Sequence, residues 1–280
     1  MTHANPVWFV TGASKGLGLV LVQRLLARGY RVAATSRSVE ELSRRVNAES
    51  SRFLPLRMDI TDEDSVAQAV AATITHFGAL DVVVNNAGYG QFGTVEEVTD
   101  TEARRNYDVN VFGALNVLRA ALPRLRAQRS GHLFNISSIG GLVGGFSGWG
   151  IYCSTKFALA GLTEALHADL TPFGIKVTLV YPGYFRTEFL TADSLVRPSK
   201  RIDAYAAARA SEAQHTDQIN GAQPGDPVKA ADALIDVYER PTAPLHLLLG
   251  SDAVGLAEAK LGQVRDELVA LRALSVGTDF

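Results

Sequence analysis

The sequence predicts an α/β fold: a doubly wound parallel sheet of seven strands with helices on both faces, in one domain over residues 1–280. Three observations carry this expectation. Short runs of β-branched and aliphatic residues recur along the chain. Each is followed by a longer stretch of helical periodicity, the pattern of βαβ units. No internal repeat and no low-complexity linker divides the chain. Crossovers between parallel strands are right-handed, so the ligand crevice of such a sheet lies beyond the carboxyl ends of its strands.

In chain order, strands are expected at about 7–11, 31–35, 53–58, 81–85, 132–137, 176–181 and 246–249. Helices are expected to begin near Gly16, Val39, Asp62, Thr101, Tyr152 and Pro227, with a last one over about 253–274. The start at Pro227 is well signalled: Asp226 caps free N–H groups, and proline at the first helical position loses no hydrogen bond. The irregular stretch 184–225 is too long for an ordinary connection and reads as a substrate lid. Residues 253–280 read as a C-terminal helical extension.

With 280 residues, 47% of them hydrophobic, the chain has enough apolar surface for one large core. Its 27 basic and 29 acidic side chains leave a net charge of −2 without any block of one sign. No affinity for nucleic acid or for an anionic membrane is expected. Cys153 is the single cysteine, which forbids an intramolecular disulfide and reads as a packing residue in a reducing compartment. No secretory leader and no apolar run of roughly 18 residues is apparent, and a cytoplasmic protein is expected. No metal site is expected.

The first strand runs into Thr11-Gly12-Ala13-Ser14-Lys15-Gly16-Leu17-Gly18 and then into a helix with apolar Leu21, Leu25 and Leu26. Glycines at a strand-to-helix turn permit positive φ, let the backbone approach a pyrophosphate, and leave the helix N-terminus open to negative charge. About twenty residues further on, where an NAD site carries Asp or Glu, the sequence reads Ser36-Arg37. Without that carboxylate, and with a guanidinium at hand, a ribose 2′-phosphate is favoured, so the expected cofactor is NADP(H). Lys15 adds a second positive charge.

Tyr152 and Lys156 stand four apart at a helix start and share one face. A tyrosine near its ordinary pKa of about 10 is a poor base at neutral pH; an adjacent ammonium favours the phenolate and lowers that value. The pair therefore suits proton transfer to a developing alkoxide.

Taken with Asn85-Asn86-Ala87-Gly88, Asn110, Asn135-Ile136-Ser137-Ser138, Tyr152-Cys153-Ser154-Thr155-Lys156 and Pro182-Gly183 with Thr187, the chain resembles the short-chain dehydrogenase/reductase family in its single-domain form, over about 7–250. The resemblance implies a Rossmann fold, a nicotinamide cofactor, and carbonyl reduction or its reverse. It implies Tyr152 as proton donor or acceptor, and Lys156 as its cationic neighbour and as a donor to the nicotinamide ribose. Ser138 would hold the substrate oxygen and Asn110 would position a water leading to solvent. Adjacent strand residues point to opposite faces, so only one of Ser137 and Ser138 can reach the site. The spacing from Ser138 to Tyr152 is one residue longer than the family's usual spacing, with the insertion in the glycine-rich stretch 140–150.

The resemblance further implies cofactor contacts by Gly12, Ser14, Lys15, Gly16, Leu17, Gly18, Ser36, Arg37, Ile60, Tyr152, Lys156, Pro182, Gly183 and Phe185. Asn86, Ala87 and Gly88 would pack on the adenosine side, Asp59 would accept from the adenine amino group, and Thr187 would meet the carboxamide or a phosphate. Gln91, Phe92, Leu142, Val143, Phe146, Trp149, Tyr184, Phe185 and Leu190 would surround a hydrophobic ketone or secondary alcohol. Two other readings are a non-catalytic NADP(H)-binding regulator, which has no need of the Asn110, Ser138, Tyr152 and Lys156 set, and a sugar-nucleotide epimerase or dehydratase. A homodimer or homotetramer through the helix carrying Tyr152 is expected.

Overall fold

The computed structural model describes residues 5–48, 50–191 and 194–280. In chain order the elements are β1 (Val7–Val10), α1 (Gly16–Ala27), β2 (Arg31–Ser36), α2 (Val39–Val46), β3 (Phe53–Arg57), α3 (Glu63–Phe77), β4 (Val82–Asn85), β5 (Gly90–Gln91), α4 (Asp100–Tyr107), α5 (Gly113–Gln128), β6 (Gly131–Ile136), α6 (Gly150–Leu170), β7 (Ile175–Pro182), β8 (Leu195–Val196), α7 (Ala206–Ala213), α8 (Pro227–Glu239), β9 (His246–Leu249) and α9 (Ser251–Val276). Seven strands form one parallel sheet in the order β3-β2-β1-β4-β6-β7-β9, and β5 pairs with β8 apart from it. All seven expected strands are present within a residue or two of their expected ends.

Side chains on the fully buried strands alternate between two cores, as the pleat requires. Trp8, Val10, Val32, Ala34, Val82, Val84 and Phe134 pack under α1, α2 and α8. Phe9, Ala33, Val83 and Leu133 pack under α3, α5 and α6. From β3 the chain crosses β2 and β1 to lay β4 on the far side of β1. The sheet therefore switches direction between β1 and β4, and a crevice opens beyond their carboxyl ends.

Two regions differ from the sequence expectation. The helix expected from Thr101 is interrupted by a turn of π-helix, Asp108–Phe112, between α4 and α5. The stretch 184–225 is not irregular throughout. It carries a 3-10 turn at Glu188–Leu190, the strand β8, the helix α7 and a π-turn at Gln214–Ile219. Its ends are stitched together, the Gly225 amide donating to Tyr184 O at 2.9 Å and the Arg186 amide to Gly225 O at 2.9 Å. The extension begins at Ser251, its first turns packed through Ala253 and Ala257 on Ile139, Leu142 and Val143.

Candidate active site

Beyond β1 and β4, the glycine turn is fastened by one hydroxyl. Thr11 Oγ1 accepts from the Asn86 and Ala87 amides, each at 3.0 Å, while Asn86 Nδ2 donates to Thr11 O at 2.9 Å and Gly12 O at 3.1 Å. Gly12 is required here: its φ is +65°, and a Cβ would meet Ala87 Cα at 2.7 Å. Gly88 faces the same constraint, for a Cβ there would stand 3.0 Å from Asn110 Oδ1 and 3.5 Å from Lys156 Nζ. The backbone on both walls is thus free of side chains, as close approach of a pyrophosphate and a nicotinamide ribose demands.

A cavity of about 650 Å³ runs from this turn past Tyr152. At one end it is lined by Ser14, Lys15, Gly16, Leu17, Ser36, Arg37, Asp59 and Ile60. Asp59 Oδ1 accepts from the Thr61 amide at 3.0 Å and its hydroxyl at 2.7 Å, so Asp59 closes a turn while Asp62 caps α3. Thr61, and then the Arg37 guanidinium, hold its carboxyl below the ordinary value against the cost of burial. Asn86, Ala87, Gly88, Pro182, Gly183, Phe185 and Thr187 line the middle. Gly18, expected to touch a cofactor, does not reach the cavity; it is buried against Asn86 and the turn. The Gly16 amide faces a carboxylate of the lid. Glu188 is ion-paired with Arg45 at 2.6 Å, Arg45 also donates to Ser14 O at 3.2 Å, and Arg45, the Gly16 amide and Lys15 together hold the Glu188 carboxyl low.

At the other end stand Ser138, Tyr152 and Lys156. The two adjacent serines separate as the pleat predicts. Ser137 Oγ donates to Lys156 O at 3.0 Å, which ties β6 to α6, whereas Ser138 Oγ accepts from the Gly140 amide at 3.0 Å and lies in contact with Tyr152. Lys156 Nζ donates to Ile136 O at 2.9 Å and lies 5.9 Å from the Tyr152 ring centre. Both groups are buried. Burial pushes the Tyr152 hydroxyl up, with Ser138 pulling weakly the other way, and pushes Lys156 down to about 8. The expected lowering of Tyr152 does not emerge, because burial is the largest influence on the hydroxyl and raises it.

Asn110 is placed by the π-turn behind Gly88, and both ends of its amide are engaged. Its Oδ1 accepts from the Tyr89 amide, and its Nδ2 donates to Tyr89 O and Thr155 Oγ1, each at 3.0 Å. The side chain thus fixes the end of the β4 wall, and its Oδ1, with one donor so far, keeps a second lone pair. Within 140–150, Gly148 O accepts from the Gly93 amide at 2.8 Å, which holds the loop against Phe92.

The substrate end is partly as expected. Gln91, Phe146, Trp149, Tyr184, Phe185 and Leu190 line the cavity. Phe92 does not, being buried edge-on to Trp149 at 5.5 Å, and Leu142 and Val143 turn away to pack on α9. Cys153 lines the cavity with its thiol pushed up to about 11 by burial, which keeps it protonated and unreactive. Sequence reasoning missed His215. Its Nδ1 lies 2.7 Å from Ser211 O, which fixes the tautomer, and its Nε2 lies 2.8 Å from the Tyr184 hydroxyl, leaving the tyrosine to donate. Burial holds this histidine below its ordinary value despite the Ser211 carbonyl, so it is neutral at pH 7. The Tyr184 amide in turn donates to Asp252 Oδ2, at the start of α9, at 2.7 Å.

This geometry meets its counterpart among known proteins. A family model described as short chain dehydrogenase matches residues 6–195. The chain belongs to the short-chain dehydrogenase family. This short-chain dehydrogenase is 37% identical to the oxidoreductase BOA17 of Botryotinia fuckeliana, over 90% of this chain and 91% of that one. It is 36% identical to a 3-ketodihydrosphingosine reductase of Bacteroides thetaiotaomicron, over 86% of each. It is also similar to a solved short-chain dehydrogenase from Streptomyces avermitilis, with a TM-score of 0.91 and 38% identity over 100% of both chains. A short chain dehydrogenase from Burkholderia cenocepacia in complex with NADP has a TM-score of 0.74 at 28% identity, covering 97% of this chain and 99% of that one. A 3-ketoacyl-(acyl-carrier-protein) reductase from Brucella melitensis complexed with NADH has a TM-score of 0.73 at 25% identity, covering 87% and 96%. The protein is thus an oxidoreductase of Rossmann-like fold, and among its described residues no helix is long and apolar enough to cross a membrane.

Proposed function

We propose that this short-chain dehydrogenase interconverts a carbonyl and a secondary alcohol with NADP(H), Tyr152 giving or taking the hydroxyl proton. The observation that carries the reading is the meeting of Tyr152, Ser138 and Lys156 at one end of a crevice whose other end holds Arg37 and no carboxylate at position 36. The nicotinamide supplies or accepts the hydride when the cofactor is bound. Arg37 and Lys15 would hold the 2′-phosphate, and a complex with NADP in one relative against NADH in another makes these two positions the basis for the choice.

Ser138 donates to the substrate oxygen while its own oxygen accepts from Gly140. The Tyr152 hydroxyl, kept protonated by burial, is then ready to donate in the direction of reduction. Lys156 keeps donors beyond the one spent on Ile136 O, and these suit a ribose hydroxyl; holding one favours its charged form, which in turn favours the Tyr152 phenolate. Phe146, Trp149, Phe189 and Leu190 suit an apolar chain, and the Tyr184–His215 pair suits a polar group near the carbonyl. The name of the Bacteroides relative supports such a ketone. An assembly through α5 and α6 is supported by the exposed Phe112 and Phe157 beside them.

The test is consumption of NADPH with a panel of ketones and aldehydes, run beside Tyr152→Phe. Turnover in the variant should fall by about 10²- to 10⁴-fold while the NADPH dissociation constant stays within about twofold. Undiminished turnover in Tyr152→Phe would sink the reading.

A further inference from the structure

The C-terminal helix ends far from anything that covers it. From Leu261 to the end of α9 every residue is exposed, so this part of the helix projects from the body. Its apolar residues are not scattered. Val254, Ala257, Leu261, Val264, Leu268 and Leu271 follow one another at alternating steps of three and four, the heptad seam of a coiled coil, with Leu274, Val269 and Val276 flanking it. Five of the six are large and exposed: Val254 at 42%, Leu261 at 62%, Val264 at 44%, Leu268 at 61% and Leu271 at 53% of their full exposure. A helical arm of this length is marginal alone in water, and such a seam calls for a partner.

We propose that the seam is covered by α9 of a second copy, laid antiparallel. Heptad geometry places Leu261 against Val264 of the second copy and Val254 against its Leu271, with Ala257 between them already packed on its own body. This register closes on itself under a two-fold axis between residues 262 and 263. Charges flanking the seam select the direction. In the antiparallel register Lys260 meets Glu267 of the second copy and Glu258 meets its Arg265. Each pair occurs twice, and every contact is between opposite signs. A parallel pair sets Lys260 against Arg265, which repels, and matches only Glu267 with Arg272. The mixture of signs on both flanks also differs from the uniformly basic margin of a helix that lies on anionic lipid.

Light scattering on the full chain tests this. Leu261→Glu/Leu268→Glu should halve the assembly mass of the wild type, whose chain mass is 30.0 kDa, and should leave NADPH turnover unchanged, since neither residue touches the cavity. Lys260→Glu alone should weaken association by about fivefold or more, and Lys260→Glu/Glu267→Lys should restore it. Strengthened association in Lys260→Glu would reverse the assigned direction. The same mass for wild type and the double leucine variant would overturn the pairing. So would a wild-type chain that runs at 30.0 kDa and floats with anionic phospholipid vesicles, which would give the seam to a lipid surface.

Discussion

The two ends of the crevice are held by different means. At the cofactor end, walls meet over a few ångströms of backbone: the Thr11 hydroxyl binds the amides after β4, and Gly12 leaves room for Ala87. Both sides are continuations of adjacent central strands, so forming the sheet already forms this site. At the substrate end, the wall is the lid, which joins the body through the two-residue β5–β8 pair and is otherwise held down by single side chains. Glu97, with 0% of its side chain exposed, accepts from the Thr94 amide at 2.9 Å, from the Ile202 amide at 2.8 Å and from Arg209 at 2.9 Å. Burial alone would raise this carboxyl, but the two amides and Arg209 bring it below its ordinary value. Arg45 and Glu188 make the second attachment, across the glycine turn. A site built by the sheet tolerates changes around it, whereas a site built by a few ion pairs depends on each of them.

The sharpest way to separate the two ends is Glu97→Ala. It strands the Thr94 and Ile202 amides and leaves Arg209 with Glu212 alone, at 3.4 Å, at a cost of about 1–3 kcal/mol for each unsatisfied group. Proteolysis within the lid should accelerate and the KM for substrate should rise at least tenfold, while the NADPH dissociation constant changes less than about twofold. An equal loss of cofactor and substrate binding would break the division.

Arg37→Ala probes the opposite end. The loss of one hydrogen bond to a charged group, about 1.5–3 kcal/mol, should raise the NADPH dissociation constant by about ten- to a hundredfold and leave that of NADH and the substrate KM nearly untouched. Titration of both cofactors against both proteins reads this directly; parallel weakening would remove Arg37 from the 2′-phosphate.

The smallest effect is expected at the polar spot of the lid. His215→Phe keeps an aromatic ring on Trp149 but removes the acceptor that orients the Tyr184 hydroxyl. The KM for ketones bearing a neighbouring hydroxyl or amine should rise about fivefold, and that for plain aliphatic ketones should not change. A uniform change across both ketone classes would reduce the pair to packing.

This division also explains what could be read in the sequence. Strand alternation, the glycine turn and the Ser36-Arg37 step are local patterns, and the structure puts Gly12, Ser14, Lys15, Arg37, Asp59 and Asn86 around one cavity. The pleat's period of two limits the site to one of Ser137 and Ser138, and the family resemblance points to the second. The substrate end left no local trace. His215 meets a tyrosine 31 residues away, and Glu97 meets an arginine 112 residues away, with nothing in either neighbourhood to mark it. Phe92, Leu142 and Val143 were assigned to the pocket on hydrophobicity, which does not distinguish a residue facing a ligand from one facing the core behind it. Asn110 was found, but the three bonds that occupy its amide depend on a π-turn that the helical pattern conceals.

One side chain at the base of α9 has a consequence for anyone who alters the chain. Asp252 grips the Tyr184 amide, so the first turn of the terminal helix is masonry of the substrate pocket, while the exposed arm beyond Lys260 touches none of it. Shortening the chain within the arm, or fusing a tag there, acts on the company the protein keeps; cutting back past Asp252 takes down a wall of the room where the substrate sits.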